Sequence, residues 1–166
     1  MSSKIISRED VVALGQRLRQ EGRRIAFANG CFDLLHVGHV RYLQGAREQA
    51  DVLVVGVNSD RAVAGLKGAG RPLLPAEARA ELVAALQAVD YVVVFDDLTA
   101  EDLLCDLRPD VHCKGTDYMV ETVPERALIE RLGGKVHIVG DAKNHSTREL
   151  LAEILRRSKA VTGDEK

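Results

Sequence analysis

Tryptophan is absent from the 166-residue chain, and three Tyr and three Phe are its whole aromatic complement. Any core must therefore be largely aliphatic. Cysteine is scarce: Cys31, Cys105 and Cys113 are odd in number, irregularly spaced and include no CxxC pair. That argues against a disulfide framework or a structural zinc site and points to a reducing cytoplasm. No apolar run approaches the roughly 20 residues that cross a bilayer, and the opening MSSKIISRED has no apolar segment of the secretory kind. Neither a membrane nor export is expected. Excess charge of one sign is missing as well. Twenty-three Lys and Arg stand against 25 Asp and Glu, a formal net charge of −2, so nucleic acid held by bulk positive charge is not an expected partner. Any anion must be held by a local cluster.

What is present is an alternation. Apolar strand-like runs occur at Arg24–Ala28, Val52–Val57 and Val89–Phe95, with weaker ones at Asp110–Lys114 and Lys135–Val139. Helical periodicity occupies about 37–49, 75–88, 99–107, 121–132 and 146–158. Ser7-Arg8-Glu9-Asp10 reads as an N-cap with an acidic third residue, opening a helix that buries Val11, Leu14 and Leu18. Strands separated by helices imply right-handed βαβ units and a Rossmann-like, three-layer α/β fold with a parallel sheet of about five strands. The length fits one domain over 1–166, with 1–22 a helical extension and 160–166 a polar, frayed tail.

Parallel sheets bind ligands beyond the carboxyl ends of their strands, where strand order reverses. That directs attention to 29–39, 58–72, 96–98, 114–118 and 140–147. The first is the most informative: Asn29-Gly30-Cys31-Phe32-Asp33-Leu34-Leu35-His36-Val37-Gly38-His39. Here a strand ends, the chain turns at glycine, and a helix begins near Val37. Histidines three apart project to the same side, and the helix N-terminus supplies unpaired N–H groups and partial positive charge. Gly38 lets a bulky ligand approach the backbone between the imidazoles. An HxxH pair also suits a metal, but no third ligand of obvious spacing follows. The arrangement reads as a polyphosphate site. It is not a dinucleotide site, because the first βα turn lacks GxGxxG and its acidic ribose ligand.

Gly30-Cys31-Phe32-Asp33 followed by His36-Val37-Gly38-His39 resembles the signature of the HxGH nucleotidyltransferase superfamily, in its cytidylyltransferase-like branch. The resemblance continues through Val57-Asn58-Ser59-Asp60, Lys67-Gly68, Arg71-Pro72, Lys114-Gly115-Thr116-Asp117-Tyr118 and Gly133-Gly134-Lys135-Val136. In detail the chain is most similar to adenylyltransferase domains that make ADP-heptose from heptose 1-phosphate. Glycerol 3-phosphate and phosphonate cytidylyltransferases are similar too.

The resemblance implies attack by an acceptor phosphate on the α-phosphate of ATP or CTP, with Mg²⁺ accompanying the triphosphate and no metal cage in the protein. His36, His39 and Lys67 are implied as the catalytic donors, Lys67 on a mobile glycine-rich loop. Cys31, Phe32, Gly38, Lys114, Gly115, Asp117, Ser146 and Thr147 are implied around the nucleotide, with Cys31 and Phe32 acting through their backbone. Asp33 and Arg79 are implied toward the small phosphorylated acceptor. Asp33 reads equally as a turn cap, Arg79 equally as one half of a surface ion pair, and Ser146 and Thr147 also as helix caps. His145 and Arg148 depart from the usual hydroxyl-rich final motif. His112 and His137 lie in strand runs and read as structural. A homodimer is compatible with the family. A binding module that keeps the fold without turnover is the rival from another class.

Overall fold

The computed structural model describes residues 3–141 and 146–162, with side chains to 159. Six parallel strands form one sheet: β1 (Ile5–Ile6), β2 (Ile25–Gly30), β3 (Val52–Asn58), β4 (Tyr91–Phe95), β5 (Val111–Lys114) and β6 (Lys135–Ile138). They lie in the order β1-β4-β3-β2-β5-β6. The two central strands are those with unbroken apolar runs, because helices cover both their faces. Successive residues point to opposite sides. Ile25, Phe27, Val52, Val54 and Val93 join one buried cluster, while Ala26, Ala28, Leu53, Val55 and Val92 join the other.

Helices α1 (Val11–Gln20), α5 (Glu101–Leu107) and α6 (Arg126–Arg131) cover the first face through Val11, Leu14, Leu18, Leu103, Leu107 and Ile129. Helices α2 (Val37–Arg47) and α4 (Ala76–Ala84) cover the second through Leu43, Ala46, Ala80 and Val83. Each buried Val, Leu or Ile among them contributes roughly 1.5–3 kcal/mol by leaving water, so the two largely aliphatic layers hold the fold without tryptophan. Two further helices are α3 (Asp60–Lys67) and α7 (Thr147–Thr162). No helix among the described residues is long and apolar enough to cross a membrane.

Four expectations are corrected here. The sheet has six strands, because residues 1–22 supply edge strand β1, paired with β4, as well as the buried helix α1. Ser7 is not the cap of α1; Asp10 is the N-cap, and Ser7 Oγ instead accepts from the Asp10 N–H at 3.2 Å. The helix expected over 121–132 is split into a 3-10 turn at Val120–Thr122 and α6, on either side of Pro124. Helix α7 continues to Thr162, into the stretch expected as tail, whose residues 163–166 lie outside those described.

The topology sets the place of the site. From β2 the chain moves outward through β3 to β4, then crosses back to lay β5 on the other side of β2. Strand order thus reverses between β2 and β5, and parallel sheets hold ligands in the crevice beyond the carboxyl ends of such strands, here Gly30 and Lys114.

Candidate active site

Beyond β2 six residues lead into α2. Phe32 takes a left-handed φ of +48° and buries its ring to 2% exposure. Any side chain at Gly30 would place its Cβ 3.2 Å from that ring, so the phenylalanine would have to shift to admit one. The Phe32 ring meets His39 edge-on at 5.4 Å. Its side chain belongs to the core, and only its backbone faces the turn.

His36 is the N-cap of α2 and His39 its third residue. Their rings stack at 3.9 Å between centroids with 29° between planes, and both are half-buried rather than sealed from solvent. The His36 backbone N–H donates to His39 Nδ1 at 3.4 Å, the role a glutamate plays in a capping box. That contact makes Nδ1 an acceptor, so the proton of neutral His39 sits on Nε2. Burial first, and the neighbouring His36 second, push the His39 pKa down to about 4. At neutral pH His39 is therefore an uncharged imidazole with its Nε2–H as donor, beside the positive end of a helix. Gly38 occupies the second position of α2, between them.

Asp33 and Arg79 do not face this opening. Asp33 is 2% exposed and accepts from Arg71 Nε at 2.5 Å, the Leu73 N–H at 2.8 Å and the Leu74 N–H at 3.0 Å. Its partners lie about 40 residues on, so in this structure the carboxylate ties the turn after β2 to the segment before α4. Arg79 is fully buried, and its ion-pair partner Asp60 is half-exposed. Its Nε donates to Leu74 O at 2.9 Å, one terminal nitrogen to Cys31 O at 2.5 Å and the other to Asp60 Oδ1 at 2.7 Å. It ties the HxGH turn to the start of α3 and the loop before α4, since a buried guanidinium must satisfy its donors inside. One lone pair of the Cys31 carbonyl is thereby engaged. The Cys31 thiol is pushed up chiefly by burial, with Lys67, Arg79 and Arg71 pulling the other way.

Those charges bring Lys67 and Arg71 into the neighbourhood of Cys31. Lys67 is exposed, but it ends α3 rather than riding on a loop. The helix forms because Ser59 caps it, its Oγ accepting from the Ala62 N–H at 3.1 Å, and because Ala62 and Val63 are buried. The open loop starts at Gly68, whose φ is +89°. Arg71 was legible in sequence only as part of the family pattern, and its mostly buried side chain is held against Asp33.

Across the crevice Lys114 is buried, at 7% exposure. Its ammonium donates to Asn29 Oδ1 at 3.2 Å and Glu125 Oε1 at 3.3 Å, with the Tyr118 ring 5.5 Å away. In this structure its side chain is held in an internal pair, because a buried ammonium needs its counter-ion. Burial lowers its pKa, against the raising effect of Glu125. Gly115 opens on empty space, and Asp117 is exposed. Thr116 Oγ1 donates to Asp141 O at 2.8 Å, and the Asp141 carboxylate pairs with Arg41 on α2. At Gly45 a Cβ would stand 3.2 Å from the Gly140 nitrogen, so α2 and the chain after β6 pack closely. Ser146 caps α7, its Oγ accepting from the Glu149 N–H at 3.1 Å, and Thr147 begins that helix. Arg148 is exposed, whereas Asn144 and His145 lie outside the described residues. His112 is fully buried, as expected of a structural residue; His137 stands near Gln49.

A family model described as cytidylyltransferase-like matches residues 27–160. A protein called bifunctional protein HldE from Syntrophotalea carbinolica is 47% identical over 155 residues, covering 93% of this chain and 32% of that protein. The protein of the same name from Geobacter sulfurreducens is 49% identical over 138 residues, covering 83% and 28%. The chain thus spans about a third of the length of these relatives. Among solved structures, a lipopolysaccharide core biosynthesis protein from Thermoplasma volcanium GSS1 superposes with a TM-score of 0.65 at 25% identity, over 74% of this chain and 100% of that one.

Proposed function

The chain belongs to the cytidylyltransferase-like family, and on that premise we propose that it transfers a nucleoside monophosphate to a small phosphorylated acceptor. The favoured reaction moves AMP from ATP onto a sugar 1-phosphate such as D-glycero-β-D-manno-heptose 1-phosphate. An oxygen of the acceptor phosphate attacks the α-phosphorus of the triphosphate. That P–O bond forms, the bond from the α-phosphorus to the bridging oxygen breaks, and pyrophosphate leaves. The acceptor is itself the nucleophile, so the protein needs to align two anions and stabilise the charge that develops between them.

The observation that carries this reading is the stacked His36–His39 pair, with the His39 proton directed to Nε2 at the start of α2. Donors preset toward developing phosphate charge contribute roughly 2.7–4 kcal/mol each. Lys67, exposed at the end of α3, supplies positive charge over the leaving pyrophosphate, and Gly115, Asp117, Ser146 and Thr147 border the nucleotide. Among the described residues no group of three or more His, Cys, Asp or Glu could hold a metal. Mg²⁺ is accordingly proposed to enter on the triphosphate, held by phosphate oxygens, where it neutralises charge. The proposed setting is the cytoplasm, where nucleoside triphosphates are available, and the proposed assembly is a homodimer.

Support for a sugar phosphate comes from the neighbour named for lipopolysaccharide core biosynthesis and from the motif resemblance to ADP-heptose-forming domains. The family description favours a second reading, CTP with glycerol 3-phosphate or a phosphonate. A matrix of the four triphosphates against heptose 1-phosphate, glycerol 3-phosphate and simple phosphonates, scored by product mass, separates them. ADP-heptose as the main product supports the first reading, and a CDP-alcohol or a CMP-phosphonate supports the second. Tight nucleotide binding without any product would leave a non-catalytic module.

A further inference from the structure

Asn29 ends β2 beside Gly30, directly before the HxGH turn, and its side chain sits over a buried polar cluster contributed by β5 and α6. Its Oδ1 lies 3.2 Å from Lys114 Nζ and 3.2 Å from His112 Nε2. An ammonium can only donate, so the atom facing Lys114 must be the amide oxygen. His112 is fully buried, and burial together with Lys114 keeps it neutral; its single N–H must then be on Nε2, also directed at Oδ1. Glu125, 6% exposed, holds Lys114 from the far side. Two donors from a buried triad therefore lock the carboxamide in one orientation. The Asn29 Nδ2 hydrogens, which bond to nothing among the described residues, point away from the triad, and the residue is only half-buried. Fixing a neutral amide needs no buried ion pair; burying Lys114 and Glu125 to do so is costly, and the cost is offset if the orientation matters to a ligand.

We propose that Asn29 is a substrate-contacting residue whose Nδ2 donates to a hydroxyl or phosphoryl oxygen of a substrate bound in the crevice between β2 and β5, and that His112, Lys114 and Glu125 are its positioning residues. The inference rests on the nucleotidyltransferase reading for the identity of the substrates, but not for the fixed donor. The isosteric test is Asn29→Asp. Its carboxylate accepts from Lys114 and His112 as before, which keeps the fold, but it cannot donate and repels an anionic partner. Calorimetric titration with a non-hydrolysable ATP analogue and, separately, with the acceptor phosphate reads the effect without turnover. Steady-state kinetics of the wild-type and variant proteins read it with turnover.

The expected result is an unchanged melting temperature and a loss of roughly 10- to 100-fold in affinity or kcat/KM for one of the two substrates. The substrate whose constant moves is the one that carries the accepting oxygen. Unchanged constants for both overturn the proposal. Should Asn29→Asp fail to fold, Asn29→Ser, whose hydroxyl is too short to reach, must show the same loss. The positioning claim is tested by Lys114→Met combined with Glu125→Gln, which removes both buried charges together. That pair should lower the same kcat/KM while leaving the other substrate's KM alone. Adding Asn29→Asp should then cost less than it does in the wild type, and full additivity overturns the positioning claim. A wild-type chain without turnover defeats the functional reading while the calorimetric comparison still decides the role of Asn29.

Discussion

Arg79 distinguishes what the motif implies from what the packing shows, and Arg79→Met puts the difference to measurement. Methionine keeps much of the aliphatic stem and deletes the guanidinium. Asp60, whose side chain is 51% exposed, is rehydrated at little cost. The carbonyls of Cys31 and Leu74 each lose a charged donor, at about 1–3 kcal/mol apiece where water cannot replace it. Relief of burying a cation offsets part of this, leaving a net loss of about 2–4 kcal/mol. For a domain of this size each kcal/mol lowers the melting point by about 2–4 °C, so a fall of roughly 5–15 °C is expected by calorimetry or circular dichroism. Because Arg79 holds the carbonyl of Cys31, kcat should fall with it, while the KM for the acceptor stays near the wild-type value at temperatures where both proteins are folded. A melting point within about 2 °C of wild type, together with a sharply raised acceptor KM, would refute the reasoning. It would mean that Arg79 leaves the interior to bind the acceptor phosphate.

Other outcomes follow from the same geometry. His36→Ala and His39→Ala should each reduce kcat by about 10²–10³-fold, with much less effect on triphosphate affinity measured by titration. Lys67→Ala should raise the triphosphate KM and slow turnover without a change in melting point, because its side chain is exposed at the end of α3. His39 and His112 have native pKa values pushed down to about 4 and about 3, so the unfolded chain binds more protons than the native one below its ordinary value of about 6.5. Their stabilising contribution is complete above about pH 6.5 and is lost as the pH falls toward those native values. Urea midpoints should drop over that window, and His112→Asn should flatten the drop; a midpoint indifferent to pH would contradict the burial argument. Chelation of Mg²⁺ should abolish turnover yet leave the melting point unchanged, since the ion is proposed to travel with the nucleotide.

The parts of the fold legible in the sequence are those where one physical signal dominates. Val52–Val57 reads as a buried strand because nothing but a sheet covered on both faces makes so continuous an apolar run useful. Ile5–Ile6 could not be read this way, since two residues carry no period and gain their pairing only from β4. Helix α3 was hidden by the glycines and cations around Lys67, although Ser59 followed by Asp60 and a buried Ala62-Val63 pair was the available signal. The site divides similarly. His36 and His39 were readable because a strand-to-helix turn constrains which way they project. Asp33, Arg79 and Lys114 were placed by motif resemblance, and sequence alone cannot say whether a charged side chain at a crevice rim turns outward to a ligand or inward to a carbonyl. The partners that orient Asn29, His112 and Lys114, lie more than 80 residues away and are brought to it only by the pairing of β2 with β5.

The most direct test is a crystal structure of the chain with a non-hydrolysable ATP analogue and Mg²⁺. The phosphates should lie at the start of α2, with His39 Nε2 and His36 in hydrogen-bond contact with their oxygens. Phosphates bound elsewhere on the molecule, or histidines left out of contact with them, would contradict the account.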